Sequence, residues 1–179
     1  MILAREFVRN EMARYADFTT NDKDHCVIVQ VGVNNVADFV KFVGMVHPYV
    51  DGIGINCGCP IRDQVREGVG AALMSKPHLV AEMIAAAKAK YPFICIDTKI
   101  RIHNDLNETI AFARIVEAAG TDMLTIHGRT KTTRSSTPVN LEAIKVVRSH
   151  VSVPKSSERG EYMQVNDRYD RCVGQILYS

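Results

Sequence analysis

Short apolar runs alternate along the chain with segments whose apolar residues recur every three or four positions. The runs at 27–32, 50–55, 93–102 and 122–126, with a weaker one at 151–153, are rich in β-branched residues and do not alternate cleanly with polar ones. That is the pattern of parallel strands covered on both faces. Helical spacing fills the gaps. Residues 36–46 carry apolar side chains three and four apart. Residues 77–90 open on Pro77 at a first turn and place Leu79, Val80, Met83, Ile84 and Ala87 on one face. Residues 107–119 repeat the scheme with Ile110, Ala113, Ile115 and Val116, and Gly120 stops the helix. Residues 141–149 form a fourth, shorter helix. The predicted order is β-α-β-α-β-α-β-α-β, behind an N-terminal segment whose pattern decides nothing.

Strands alternating with helices imply right-handed crossovers and a parallel sheet. The sheet is either open and doubly wound or part of a (β/α)₈ barrel. No G-x-G-x-x-G follows the first strand, which weakens the dinucleotide-binding form of the open sheet. Polar residues instead gather where successive strands end: Gln30, Asn56, Lys99 with Arg101, and His127 with Arg129. A barrel active site is built that way. Five strands fall short of eight, so the fold class is a partial TIM barrel. The composition shifts after Pro154. Residues 155–179 hold four basic and four acidic side chains and no useful pattern before Val173. They are expected to be a divergent, poorly ordered tail behind a domain at 1–154.

Composition narrows the class. The 179 residues are 46% hydrophobic and 23% charged, the values of an ordinary globular domain. A net charge of +2 makes no case for a strongly basic nucleic-acid binder but leaves room for a local basic face. No apolar run approaches the roughly 18–20 residues of a membrane span. The start, Met-Ile-Leu-Ala-Arg-Glu, lacks the features of a signal peptide. The expected location is intracellular, cytoplasmic or nuclear, with no membrane partner. Five cysteines fit a reducing compartment better than a disulfide scaffold. Cys26 and Cys95 read as small buried hydrophobes.

The strongest local signal is Asp51-Gly-Ile-Gly-Ile-Asn-Cys-Gly-Cys-Pro60, followed by Gly70-Ala-Ala-Leu-Met74. A buried strand delivers Asn56 to its end, and a tight Gly-Cys-Pro turn presents Cys59. Such a thiol can be a nucleophile, a proton donor or a metal ligand, and the alternative is an idle loop thiol. A metal site is the weaker reading, because no second Cys or His pair lies at zinc spacing. Lys99, His127 and Gln30 each have an ordinary structural explanation when taken singly. Together they suggest an oxidoreductase with a bound cofactor. Lys99 can neutralise the electron-rich edge of a reduced ring, His127 and Arg129 can reach phosphate, and Cys59 can protonate carbon beside a hydride donor.

These residues resemble a tRNA-dihydrouridine synthase. The matches are Gln30, Asn56-Cys-Gly-Cys-Pro60 with Gly70-Ala-Ala-Leu-Met74, Thr98-Lys-Ile-Arg101 and Thr125-Ile-His-Gly-Arg-Thr130, in that order. The doubled Cys-Gly-Cys-Pro and the run Lys-Ile-Arg-Ile-His103 are similar to the eukaryotic branch acting at D-loop positions 20a and 20b. The resemblance covers residues 1–154. It implies an FMN-binding barrel that reduces the C5–C6 double bond of a tRNA uridine, with NADPH as reductant. It makes Cys59 the catalytic proton donor. Gln30, Lys99 and His127 become FMN contacts, Arg129 lies near the flavin phosphate or the tRNA, and Asn56 and Arg101 border the uridine. Cys57 keeps a structural reading. No metal is implied.

The resemblance also has gaps. The family's first strand, ending in Ala-Pro-Met, has no counterpart here, and Met1-Ile-Leu-Ala matches the end of its second. Past Val153-Pro154 the family's Ile-Ala-Asn-Gly-Asp is replaced by Lys155-Ser-Ser-Glu-Arg-Gly-Glu161. The expectation is a barrel shortened at both ends. Its alternative function is a non-catalytic product of such a gene, with weak or no FMN binding.

Overall fold

A computed structural model describes residues 1–24 and 27–153, and the backbone of 155–157. Six parallel strands stand in sequence order: β1 (Ile2–Leu3), β2 (Ile28–Gly32), β3 (Gly52–Asn56), β4 (Cys95–Arg101), β5 (Met123–His127) and β6 (Lys155–Ser157). The connecting helices are α1 (Ala4–Arg9), α2 (Glu11–Asp17), α3 (Val36–Val46), α4 (Arg62–Arg66), α5 (Pro77–Lys90), α6 (Leu106–Ala118) and α7 (Leu141–Ser149), with a 3-10 turn at Gly70–Ser75. Each strand pairs with its sequence neighbour, as in a barrel wall.

The register divides every strand into two faces. Val29, Val31, Ile53, Ile55, Ile96, Thr98, Ile100, Leu124 and Ile126 share the outer face and are buried. They pack in one core with Phe39, Phe42 and Val43 of α3, Val80, Met83 and Ile84 of α5, and Phe112 and Val116 of α6. Residues of opposite parity share the inner face: Gln30, Gly54 and Asp97 in one row, Asn56, Lys99 and Thr125 in the next, then Arg101 and His127. Strand burial is thus two-sided but chemically split, which explains why apolar and polar residues do not alternate cleanly.

The helices begin where side chains can replace missing backbone partners. Asn35 caps α3 by accepting from the Asp38 amide, Asp105 caps α6 through the Asn107 amide, and Asn140 caps α7 through the Ala143 amide. Pro77 opens α5. Gly120, at φ +97°, follows the end of α6 in the left-handed conformation expected of a helix stop.

The predicted helices at 36–46, 77–90 and 141–149 coincide with α3, α5 and α7, and that at 107–119 lies one residue from α6. Two expectations need correction. The weak strand expected at 151–153 is not one; the sixth strand is Lys155–Ser157. The sheet therefore continues into the stretch assigned to a tail, while residues 158–179 lie outside those described. Parallel pairing to β5 places that strand, although its sequence has no apolar run to announce it. The undecided N-terminus supplies β1, which pairs with Val31 and Gly32. Its helices α1 and α2 leave little trace in the periodicity, because between them they bury only Ala4 and Phe7, the latter edge-on to Phe42 at 5.1 Å. Lastly, Cys95 is half-buried instead of buried, and Cys26 lies outside the described residues.

Candidate active site

The C-terminal edge of the sheet gathers the residues the sequence singled out. Asn56, the last residue of β3, is at its centre. Its Oδ1 accepts from the amides of Gly58 (3.0 Å) and Cys59 (2.8 Å), and its Nδ2 donates to Gln30 Oε1 at 2.8 Å. One buried amide side chain therefore fixes both the Cys59 loop and the neighbouring strand's glutamine. Gln30 stands two residues before the end of β2, not at its end as the apolar run suggested. Its inner-face position still brings it to Asn56.

Arg101, the last residue of β4, grips the same loop from the other side. Its Nε donates to Gly58 O at 2.6 Å and its Nη1 to Thr130 O at 3.0 Å. The Cys57 amide donates to Lys99 O at 2.8 Å, extending the β3–β4 ladder into the loop. Behind the loop, the Ala71 amide donates to Cys59 O at 2.8 Å. Gly70 permits this close approach. Its φ is +62°, and a Cβ there would lie 2.6 Å from Cys59 O. Three separate elements thus hold the half-buried Cys59.

The two motif cysteines differ physically. Cys57 is fully buried in the core. Burial, and then the nearby Asp97 carboxylate, push its thiol far above the ordinary range, so it stays protonated and inert. Cys59 alone of the pair reaches the edge of the site.

Lys99 is the cross-strand neighbour of Asn56 on one side and Thr125 on the other. Two positions deeper on the same face lies Asp97, which sequence reasoning missed. Its carboxylate accepts from Thr125 Oγ1 at 3.0 and 3.1 Å. Burial pushes this carboxyl up to about 7, against the opposing pull of the Thr125 hydroxyl and the Lys99 ammonium. An acidic residue inside the apolar run 93–102 was the available signal.

His127 and Arg129 form a second group. Arg129 Nη1 donates to His127 Nε2 at 3.1 Å, and Arg129 Nε donates to Thr137 O at 2.6 Å. A guanidinium only donates, so this contact places the imidazole proton on Nδ1. His127 is the register partner of Arg101, and the Arg101–Thr130 bond ties the two groups together. A groove of about 690 Å³ adjoins Arg101 and Thr130; His103 and Phe112 are also among its walls, and Cys59, His127 and Arg129 are not.

Gln30, Lys99 and His127 offer an amide, an ammonium and an imidazole along one face. That donor set suits the oxygen- and nitrogen-rich edge of a flavin ring. Between Gln30 and Asp97 the face is cleared at Gly54, where an added Cβ would meet nothing closer than 3.7 Å. Among the described residues no group of three or more His, Cys, Asp or Glu is placed to hold a metal ion, and no helix is long and apolar enough to cross a membrane.

Comparison with known proteins places this geometry in context. The family model described as dihydrouridine synthase matches residues 1–158. A tRNA-dihydrouridine(20a/20b) synthase of Saccharomyces cerevisiae is 58% identical over 153 residues, covering 85% of this chain and 42% of that protein. The protein of the same name in Schizosaccharomyces pombe is 46% identical, covering 86% and 47%. A human protein named as tRNA-dihydrouridine(20a/20b) synthase-like is 40% identical, covering 86% and 49%. The chain thus spans about half the length of the curated relatives it matches. In fold alone it is similar to a dihydrodipicolinate synthase of Agrobacterium tumefaciens, with a TM-score of 0.53, 17% identity, and coverage of 81% of this chain and 49% of that one.

Proposed function

This chain belongs to the dihydrouridine synthase family, and from that premise we propose that it carries the proton-donating and ring-binding part of a tRNA-dihydrouridine synthase. The reaction is reduction of the C5–C6 double bond of a D-loop uridine. When bound, FMN supplies the hydride, with NADPH as the source of electrons. The observation that carries the reading is the Asn56 bridge, which joins Gln30 to the Cys59 loop.

Each residue then has a task. Gln30, Lys99 and His127 hold the polar edge of the flavin, and the Lys99 ammonium offsets negative charge there. Arg129 orients His127 and fixes its tautomer. Cys59 donates its thiol proton to C5 of the uracil. Asn56 sets the distance between ring edge and thiol. Arg101 borders the uridine, next to the Cys59 loop it grips at Gly58 O. The uridine must leave its stack to enter, and a water-poor pocket with fixed donors favours that exchange.

A second reading is favoured by one observation: among the described residues the sheet runs from β1 to β6 in an open order. A wall of six strands that does not close would retain the site's residues without turnover. One experiment separates the two. The purified chain is passed through gel filtration with FMN, its absorbance is recorded, and tRNA uridine reduction with NADPH is assayed. Retained flavin, turnover in the wild type and none in Cys59→Ser support the synthase. A protein that stays colourless and inactive supports the non-catalytic product.

A further inference from the structure

We propose that His103 is a positioning residue for Cys59, acting through the 3-10 turn that backs the Cys59 loop. The inference rests on the reading of Cys59 as the proton donor only for its catalytic consequence; the mechanical link stands on the geometry.

His103 follows β4 by two residues and ends the Lys-Ile-Arg-Ile-His run, yet no role above absorbs it. Its ring bridges two elements. Nε2 lies 3.0 Å from Met74 O, in the last turn of the 3-10 segment, and Nδ1 lies 3.2 Å from Thr109 Oγ1 in α6. A carbonyl only accepts, so Nε2 carries the proton. Thr109 Oγ1 already accepts the His103 amide at 2.8 Å, which leaves its own hydroxyl proton for Nδ1. Both ring nitrogens are thus engaged, Nε2 as the donor to Met74 O.

The far end of the 3-10 segment reaches the thiol loop. Gly70 sits against Cys59 O, and the Ala71 amide donates to that same oxygen. A six-residue 3-10 segment is long for this geometry and has poorly aligned internal bonds, so its ends need outside support. The Cys59 backbone gives it one anchor and His103 the other. The end of β4 therefore holds Cys59 twice: directly, by Arg101 on Gly58 O, and indirectly, by His103 through Met74 and Ala71. The pairing explains why Gly70–Met74 and His103, far apart in sequence, both belong to the site.

The test uses the whole chain and needs neither tRNA nor flavin. Hydrogen exchange of the Ala71 amide and the alkylation rate of Cys59 by iodoacetamide, read by peptide mass spectrometry, are compared in the wild type, His103→Leu and His103→Gln. Leucine fills space but cannot donate, while the glutamine amide can still donate to Met74 O. In His103→Leu, Ala71 exchange is expected to rise roughly tenfold and Cys59 alkylation about threefold, with β3 and β4 amides unchanged. His103→Gln should restore both to within about twofold of wild type. Should the leucine variant fail to fold, His103→Asn, whose amide is too short to span to Met74, carries the same expectation. Unchanged Ala71 and Cys59 in the donor-less variants, or equal damage from glutamine, overturns the proposal. Turnover that survives Cys59→Ala sinks the proton-donor reading and leaves the His103 link standing.

Discussion

Asp97 offers the sharpest quantitative test. Asn is nearly isosteric with it and can still accept the Thr125 hydroxyl, so Asp97→Asn removes the ionisation and little else. Burial raises the carboxyl from 3.8 to about 7 in the folded chain. Between those values the folded chain keeps a proton that the unfolded chain has released. Raising the pH through this window therefore favours unfolding. Integrated from pH 5 to pH 8, a shift of that size lowers stability by roughly 2–3 kcal/mol from this residue alone. For a chain of this length that corresponds to roughly 5–10 °C in Tm. Urea unfolding at both pH values, for wild type and Asp97→Asn, isolates the contribution, because every other titrating group is common to the two. The variant should lose less stability over the interval by that amount and match or exceed the wild type at pH 8. Parallel pH dependences in the two proteins would refute the reasoning, since Asp97 would then titrate alike folded and unfolded.

Other perturbations have equally definite outcomes. Gly70→Ala forces a side chain into φ +62° and against Cys59 O, so it should cost about 2–4 kcal/mol in urea unfolding and speed Cys59 alkylation. Arg101→Lys cannot reach Gly58 O and Thr130 O together and should lose about 1–2 kcal/mol, read the same way. Phe112→Ala in the core should cost about 3–5 kcal/mol, whereas Phe93→Ala, 87% exposed, should stay within about 0.5 kcal/mol. Similar losses for the two would place the core elsewhere.

The fold was legible where one physical signal dominated. Strands β2 to β5 and helices α3, α5, α6 and α7 bury apolar faces that show in the periodicity. Short elements escaped notice for the opposite reason. Helix α4 buries no side chain, and β6 is placed by its pairing to β5. The site was legible as a set of polar residues at strand ends, but not as a network. That Asn56 spends its polar atoms on Gln30 and the Cys59 loop depends on register, which no local pattern encodes. Asp97 was hidden inside an apolar run, and His103 has meaning only beside Met74, which lies 29 positions away.

The two-faced strands also decide which insertions and deletions this chain can survive. Removing one residue from the middle of β4 would turn Lys99 and Arg101 toward the helices and Ile100 toward the site. The error would place charge in the core and strip the candidate site of its polar residues at once, so no drift in strand register can trade one face against the other by degrees. Residues beyond the strand ends obey no such parity. The loop 128–140, for example, can change length between Thr130 and Thr137 as long as Arg101 and Arg129 keep their carbonyl partners and the amide of Asn140 still donates to Gly128 O at 2.7 Å. Variation among natural relatives should accordingly arrive as whole-loop changes at the strand ends and almost never as single-residue gaps within strands.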